Sequence, residues 1–196
     1  GSNVTIAMNA GANPFDGTIV TTTTHTRRNN FDDDHGKMVV FQNRLIIAVF
    51  DSANSQIEIW YSANPTAGTP TYTAGAVIAS NTGPRELLDW KPPLVSPPTP
   101  AVTLVTQDAV YRVDHSSNTY DKIYELDGYD ATGHGAVVGQ DGDLYIGLNS
   151  TGQIIGLHAQ PTGGLQQRIV GPPGDGLVTA HQGTIKHIIA PPLHWL

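Results

Sequence analysis

A segment that occurs twice places the strongest limit on what this chain can fold into. Residues 134–159, HGAVVGQDGDLYIGLNSTGQIIGLHA, imperfectly copy residues 35–62, HGKMVVFQNRLIIAVFDSANSQIEIWYS. With His35 on His134, Gly36 falls on Gly135, Val39 on Val138, Leu45 on Leu144 and Ile47 on Ile146. A two-residue difference in the next turn then brings Gln56 and Ile57 onto Gln153 and Ile154. A repeat of this length is one supersecondary unit, which cannot bury its own apolar face and stacks on its neighbours.

Within each copy the apolar runs are short and bounded by turn residues, the pattern of strands. Charged residues make up only 14% of the chain, against 21 glycines and 14 prolines, which disfavours long surface helices and favours frequent turns. The first unit reads as four antiparallel strands at 37–41, 44–50, 56–61 and 71–80. The third reads as strands at 136–139, 143–148, 153–158 and 166–170, and its Asp141-Gly142 predicts a two-residue type I′ hairpin. Between them a second unit at 102–106, 109–114 and 122–126 carries TQDAVYRV, which resembles GQDGDLYI. It has no room for an outer strand before the third unit begins, so it is either truncated or completed from elsewhere.

Two strands are expected near the N-terminus, at 3–8 and 18–24, with residues 21–24 a polar β-branched run suited to an edge. Residues 26–34 read as a loop. RELLDW (85–90) predicts one helical turn that packs Leu87, Leu88 and Trp90 on the body, and KPPLVSPPTP (91–100) predicts an extended, semi-rigid connection. A fourth copy begins at Gly183 with TIKHII (184–189) and stops on HWL (194–196), an apolar run that calls for strands from the N-terminus or from another chain.

Short strands joined by tight turns, a glycine before the first strand and a polar hairpin before an L-Y-I second strand resemble the blades of β-propellers. DGDLYI (141–146) is most similar to the NHL and related repeats. The WD dipeptide of WD40 blades and the S-x-D-x-G-x-T-W box of sialidases are missing. The resemblance extends over residues 35–196 and implies an all-β radial array of three- to four-stranded sheets, with residues 1–34 available to close the last blade. A β-sandwich or jelly roll is the alternative all-β arrangement.

A formal net charge of −7 disfavours nucleic acid and anionic lipid as partners. The chain has no apolar run of about 18 residues to form a membrane-spanning helix, and its first residues lack the basic and apolar regions of a secretory leader. Sequons at Asn3 and Asn149 fit an extracellular setting, and the absence of cysteine rules out disulfides and thiolate metal sites.

Three histidines fall at similar places in their repeats: His35, His134 and, two residues before Gly183, His181. If the first strands converge, these imidazoles make a candidate site for a divalent metal, the one cofactor the sequence suggests. Asp32, Asp33 and Asp34 with Asn29 and Asn30 offer hard oxygen ligands, without the spacing of an EF-hand loop. Trp60, Tyr61, Tyr145 and Trp195 are candidate contacts for a glycan or a protein partner. Paired carboxylates, a G-x-S-x-G elbow and a phosphate-cradling loop are all missing. The expectation is therefore a non-enzymatic structural or protein-interaction module, joined to copies of itself or to other subunits through residues 184–196. A composition rich in Thr, Gly, Pro, Asn and Gln is similar to that of phage virion and tail proteins. The alternative is a carbohydrate-binding propeller or a metal-dependent enzyme with axial histidines.

Overall fold

The computed structural model describes residues 3–8, 21–26, 36–67, 71–90, 101–115, 117–126, 135–147, 154–160 and 164–170. All regular structure among them is β, in a two-stranded hairpin and three antiparallel sheets of four strands each. The hairpin pairs β1 (Asn3–Met8) with β2 (Thr21–Thr26).

The first sheet runs in sequence order through β3 (Gly36–Phe41), β4 (Arg44–Asp51), β5 (Gln56–Ser62) and β6 (Thr73–Ala79). The second contains β7 (Glu86–Leu88), β8 (Val102–Val105), β9 (Ala109–Asp114) and β10 (Thr119–Glu125). The third contains β11 (Ala136–Val138), β12 (Leu144–Gly147), β13 (Ile154–Ala159) and β14 (Leu165–Val170). Every sheet is a simple meander, in which each strand pairs with its neighbours in sequence.

One expectation about the second sheet is corrected: RELLDW is not a helical turn, since its Glu86, Leu87 and Leu88 pair with Val105, Leu104 and Thr103. Of the two alternatives for the second unit, it is the one completed from elsewhere, because β7, which precedes the proline-rich stretch, supplies its first strand. The two similar turns are therefore one strand out of phase: Gln107-Asp108 joins the second and third strands of its sheet, and Gln140-Asp141 joins the first and second.

Turn chemistry differs from expectation in an equally local way. A type I′ turn needs positive φ at both central residues, and Gln42 (φ 49°) and Asn43 (φ 60°) meet that requirement between the paired residues Phe41 and Arg44. Asp141-Gly142 does not form one, since only Gly142 (φ 83°) is in the left-handed region. There the Gly139 amide donates to the Asp143 carbonyl at 2.8 Å and the Gly142 amide to the Gly139 carbonyl at 3.0 Å. The result is the three-residue connection whose glycine forms a bulge.

Two apolar cores join the sheets. One packs Phe41, Ile46, Ile57, Ile59 and Ile78 of the first sheet against Leu87, Val102, Leu104 and Val113 of the second. The other packs Val105, Val110, Trp90 and Leu126, in or beside the second sheet, against Leu144, Ile146, Ile155 and Leu157 of the third. The middle sheet is thus covered on both faces, and all four residues of β8 are buried. Its alternation splits cleanly, with Val102 and Leu104 facing the first sheet and Val105 the third. First strands lie beside first strands, β7 touching both β3 and β11, and the last strands β6 and β10 also meet.

Candidate functional site

The outer faces of the first and third sheets differ in chemistry, and the difference is written in their strands. In β12 and β13, apolar residues alternate with polar residues and glycine, giving one face to the core and one to water. The outward row of the third sheet is Tyr145, Gly156 and Arg168, which are direct cross-strand partners. The guanidinium lies 5.5 Å from the Tyr145 ring centre. A Cβ on Gly156 would come within 3.1 Å of Arg168 Cγ, and one on Gly139 within 2.5 Å of Tyr145 Cε2 and of Asp141 Oδ1. These two glycines leave the room in which the stack lies.

Around that row the polar groups satisfy one another. Arg168 Nη2 donates to Asp141 Oδ2 at 2.8 Å and to the Tyr145 hydroxyl, which itself donates to Asp141, and the same nitrogen makes an ion pair with Asp143 Oδ2 at 2.7 Å. The hydrogen bond from Tyr145 is the main reason that the Asp141 carboxyl lies below its ordinary range, and the same bond raises the phenol. Asp143 is buried and accepts from His158 Nδ1–H at 2.7 Å through its other oxygen, on a half-exposed imidazole ring. Among the described residues, no group of three or more His, Asp or Glu side chains is arranged to hold a metal.

The outer face of the first sheet is more apolar. Strand β4, with Leu45, Ile46, Ile47, Ala48, Val49 and Phe50 in succession, is apolar on both faces, as in strands covered from both sides. Register assigns Ile46, Ala48 and Phe50 to the core shared with the second sheet, and the apolar Met38, Val40, Leu45, Ile47, Val49, Trp60 and Val77, together with the polar Asp51, Gln56, Glu58 and Ser62, to the outer face, where Leu45, Val49, Asp51 and Ser62 are buried. There Val40 is 70% exposed, Met38 66% and Val77 49%. Two carboxylates lie on this face: Asp51 accepts from the Ala53 amide at 3.2 Å and Asn54 Nδ2 at 2.7 Å, and Glu58 from Trp60 Nε1 at 3.1 Å and Gln56 Nε2 at 3.2 Å.

A third polar feature lies inside the seam between the first and second sheets. His115, in the turn after β9, is 1% exposed and has its ring edge-on to Phe41 and Tyr61. Arg44 Nη1 donates to His115 Nε2 at 3.2 Å, so the imidazole is neutral with its proton on Nδ1, and that atom has no hydrogen-bond partner among the described residues. Burial and then the Arg44 charge hold the His115 pKa below its ordinary value, with Asp114 opposing them.

Of the residues singled out from sequence, Tyr145 lies in the polar row, Trp60 on the apolar outer face, and Tyr61 in the seam, beneath Arg44 and beside His115. His35, His134, His181 and Trp195 lie outside the described residues, as do Asp32–34, the connection 91–100 and the segment 184–196. Asp143 lies in the DGDLYI motif, whereas Arg168, His158 and His115 were not singled out. No short-range motif marks these three, because each acquires its role from a partner elsewhere in the chain. Comparison with protein-family models, with characterised proteins and with solved structures gives no match.

Proposed function

We propose that this chain is a non-enzymatic structural module of a larger assembly, built from propeller-like blades, and that it joins the assembly through the outer face of its first sheet. The blade-like reading is supported by successive four-stranded meanders whose first strands β3, β7 and β11 adjoin while the last strands β6 and β10 meet. A virion component is the kind of assembly that the composition favours.

The observation that carries the reading is the exposure of three large apolar side chains, Met38 and Val40 on the edge strand β3 and Val77 on the edge strand β6. Large apolar side chains exposed on strand edges mark sites of protein contact. The polar groups of the third sheet are by contrast largely occupied by one another, which suits a solvated end.

The test is the tolerance of the face to charge. Val40→Glu with Val77→Lys, unfolded in urea at nanomolar concentration, is expected to stay within about 0.5 kcal/mol of the parent, as surface substitutions do. A loss of more than about 3 kcal/mol would show that the face belongs to the chain's own core, and would overturn the assembly reading.

A further inference from the structure

We propose that His115 is an acid-operated latch on the seam between the first and second sheets: protonation of its ring lets the first sheet swing away from the second, while the second and third stay packed.

The geometry is that of a joint fastened at both ends. His115 touches all four strands of the first sheet, and at one end of it. Its ring is edge-on to Phe41 of β3 and Tyr61 of β5, with centroids 5.7 and 5.5 Å away, and its Nε2 accepts from Arg44 of β4. Its carbonyl oxygen would lie 3.6 Å from a Cβ on Gly75 of β6. There Gly75 and Ala76 together oppose Ile59 in a bulge, which turns this stretch of β6 towards the end of β9. At the opposite end of the sheet, beyond the paired Gln56 and Ala79, the chain itself joins the two sheets through residues 80–85. No strand ladder among the described residues crosses the seam, so between these two ends side-chain packing holds it. A sheet made of one continuous stretch of chain is the kind of unit that opens as a whole.

The latch is closed only when the ring is neutral. Nδ1 already carries the hydrogen, and Nε2 is taken by Arg44, so a second proton displaces that bond and sets two cations 3.2 Å apart in a ring environment that is 1% exposed. The charged and titratable groups facing the ring are Arg44 from β4, Tyr61 from β5 and Asp114 from β9, while Phe41 and Gly75 bring none from β3 and β6. Asp114 favours the cation, but burial and the Arg44 charge outweigh it. In the open seam the ring meets water and titrates near its ordinary 6.5. Below that pH the open state gains a proton that the closed state resists, so its population rises by up to about tenfold per unit, or about thirtyfold at pH 5, and levels off below the lowered value. The other seam is fastened differently. There Trp90 donates to the Gly142 carbonyl at 2.7 Å and the Tyr124 hydroxyl to the Gln167 side chain, and indole, phenol and amide gain no proton in this range.

The chain has no cysteine, so a single introduced thiol reports on one place. Ala48→Cys and, separately, Ala76→Cys put it in the first core, and Ala136→Cys puts it in the second. Each variant is labelled with an aromatic disulfide that stays reactive in acid, and its rate is divided by that of the same variant unfolded in urea at the same pH, since the thiolate is the reacting form. From about pH 7.5 to about pH 5 the normalised rate at positions 48 and 76 is expected to rise roughly 5- to 30-fold, and that at position 136 by less than about twofold. His115→Gln in the same backgrounds is expected to abolish the rise. An equal rise at position 136 would mean that acid unfolds the chain as a whole. No rise at 48 and 76, or one that survives His115→Gln, would mean that the ring fastens nothing, and each of these results overturns the proposal.

Discussion

Acidification should act on the seam between the first and second sheets through His115. The imidazole is fully enclosed by Phe41, Tyr61 and Arg44. Protonating it would set a second cation 3.2 Å from a guanidinium nitrogen and remove the lone pair that accepts the Arg44 hydrogen bond. The folded state therefore takes up this proton less readily than the unfolded chain, in which histidine titrates near 6.5. Over the interval between that value and the lowered one, the unfolded state binds more protons, so stability rises with pH. The stabilisation is complete above about 6.5 and is lost as pH falls through the folded value, at up to about 1.4 kcal/mol per pH unit for one proton. Urea unfolding of the parent and of His115→Gln, followed by tryptophan fluorescence at several pH values, isolates this contribution from the other histidines. Glutamine keeps an acceptor for Arg44 but has no proton to gain, so between 6.5 and the lowered folded value the stability difference between the two proteins should shift by up to about 1.4 kcal/mol per pH unit, and level off below it. Parallel pH profiles would show that His115 titrates alike in both states, and the account of the seam would be wrong.

Two further outcomes test the reading of turns and seams. Gln42 holds a long side chain at φ 49° in a type I′ turn, so replacing Gln42-Asn43 by Asn-Gly should stabilise the protein by about 1 kcal/mol. That gain appears as a rise in Tm of about 2–4 °C by calorimetry, whereas a fall would contradict the turn assignment. Trp90→Phe keeps most of the ring in the second core but deletes the 2.7 Å bond from Nε1 to the Gly142 carbonyl, which links the second and third sheets. A loss of about 1–2 kcal/mol in urea unfolding is expected, and no loss would mean that the bond adds nothing to the seam.

The strands of the first and third units could be read from sequence because β-branched runs such as RLIIAVF are bounded by residues that only turns accommodate. The same logic misread RELLDW: three residues of strand are too few to show a period, and only pairing with Val102–Val105 identifies them. Asp141-Gly142 misled for a related reason. A dipeptide signals that a turn occurs, while the residues that pair on either side decide its length and type. The polar row and His115 were beyond any local rule, since Tyr145 meets Arg168 across 23 residues and Arg44 meets His115 across 71.

The order of the sheets along the chain also has a consequence for biosynthesis. Every ladder among the described residues joins sequence neighbours, so each sheet can zip up from its own hairpins soon after it leaves the ribosome. The first sheet is complete once Ala79 has emerged, and it is the one whose central strand is apolar on both faces. The residues that cover its inner side extend to Val113 in the second sheet. At about 5–20 residues per second they arrive roughly 2–7 s later. The nascent chain thus presents its most adhesive surface first and its polar end last, which makes this interval the one in which a holdase chaperone would bind.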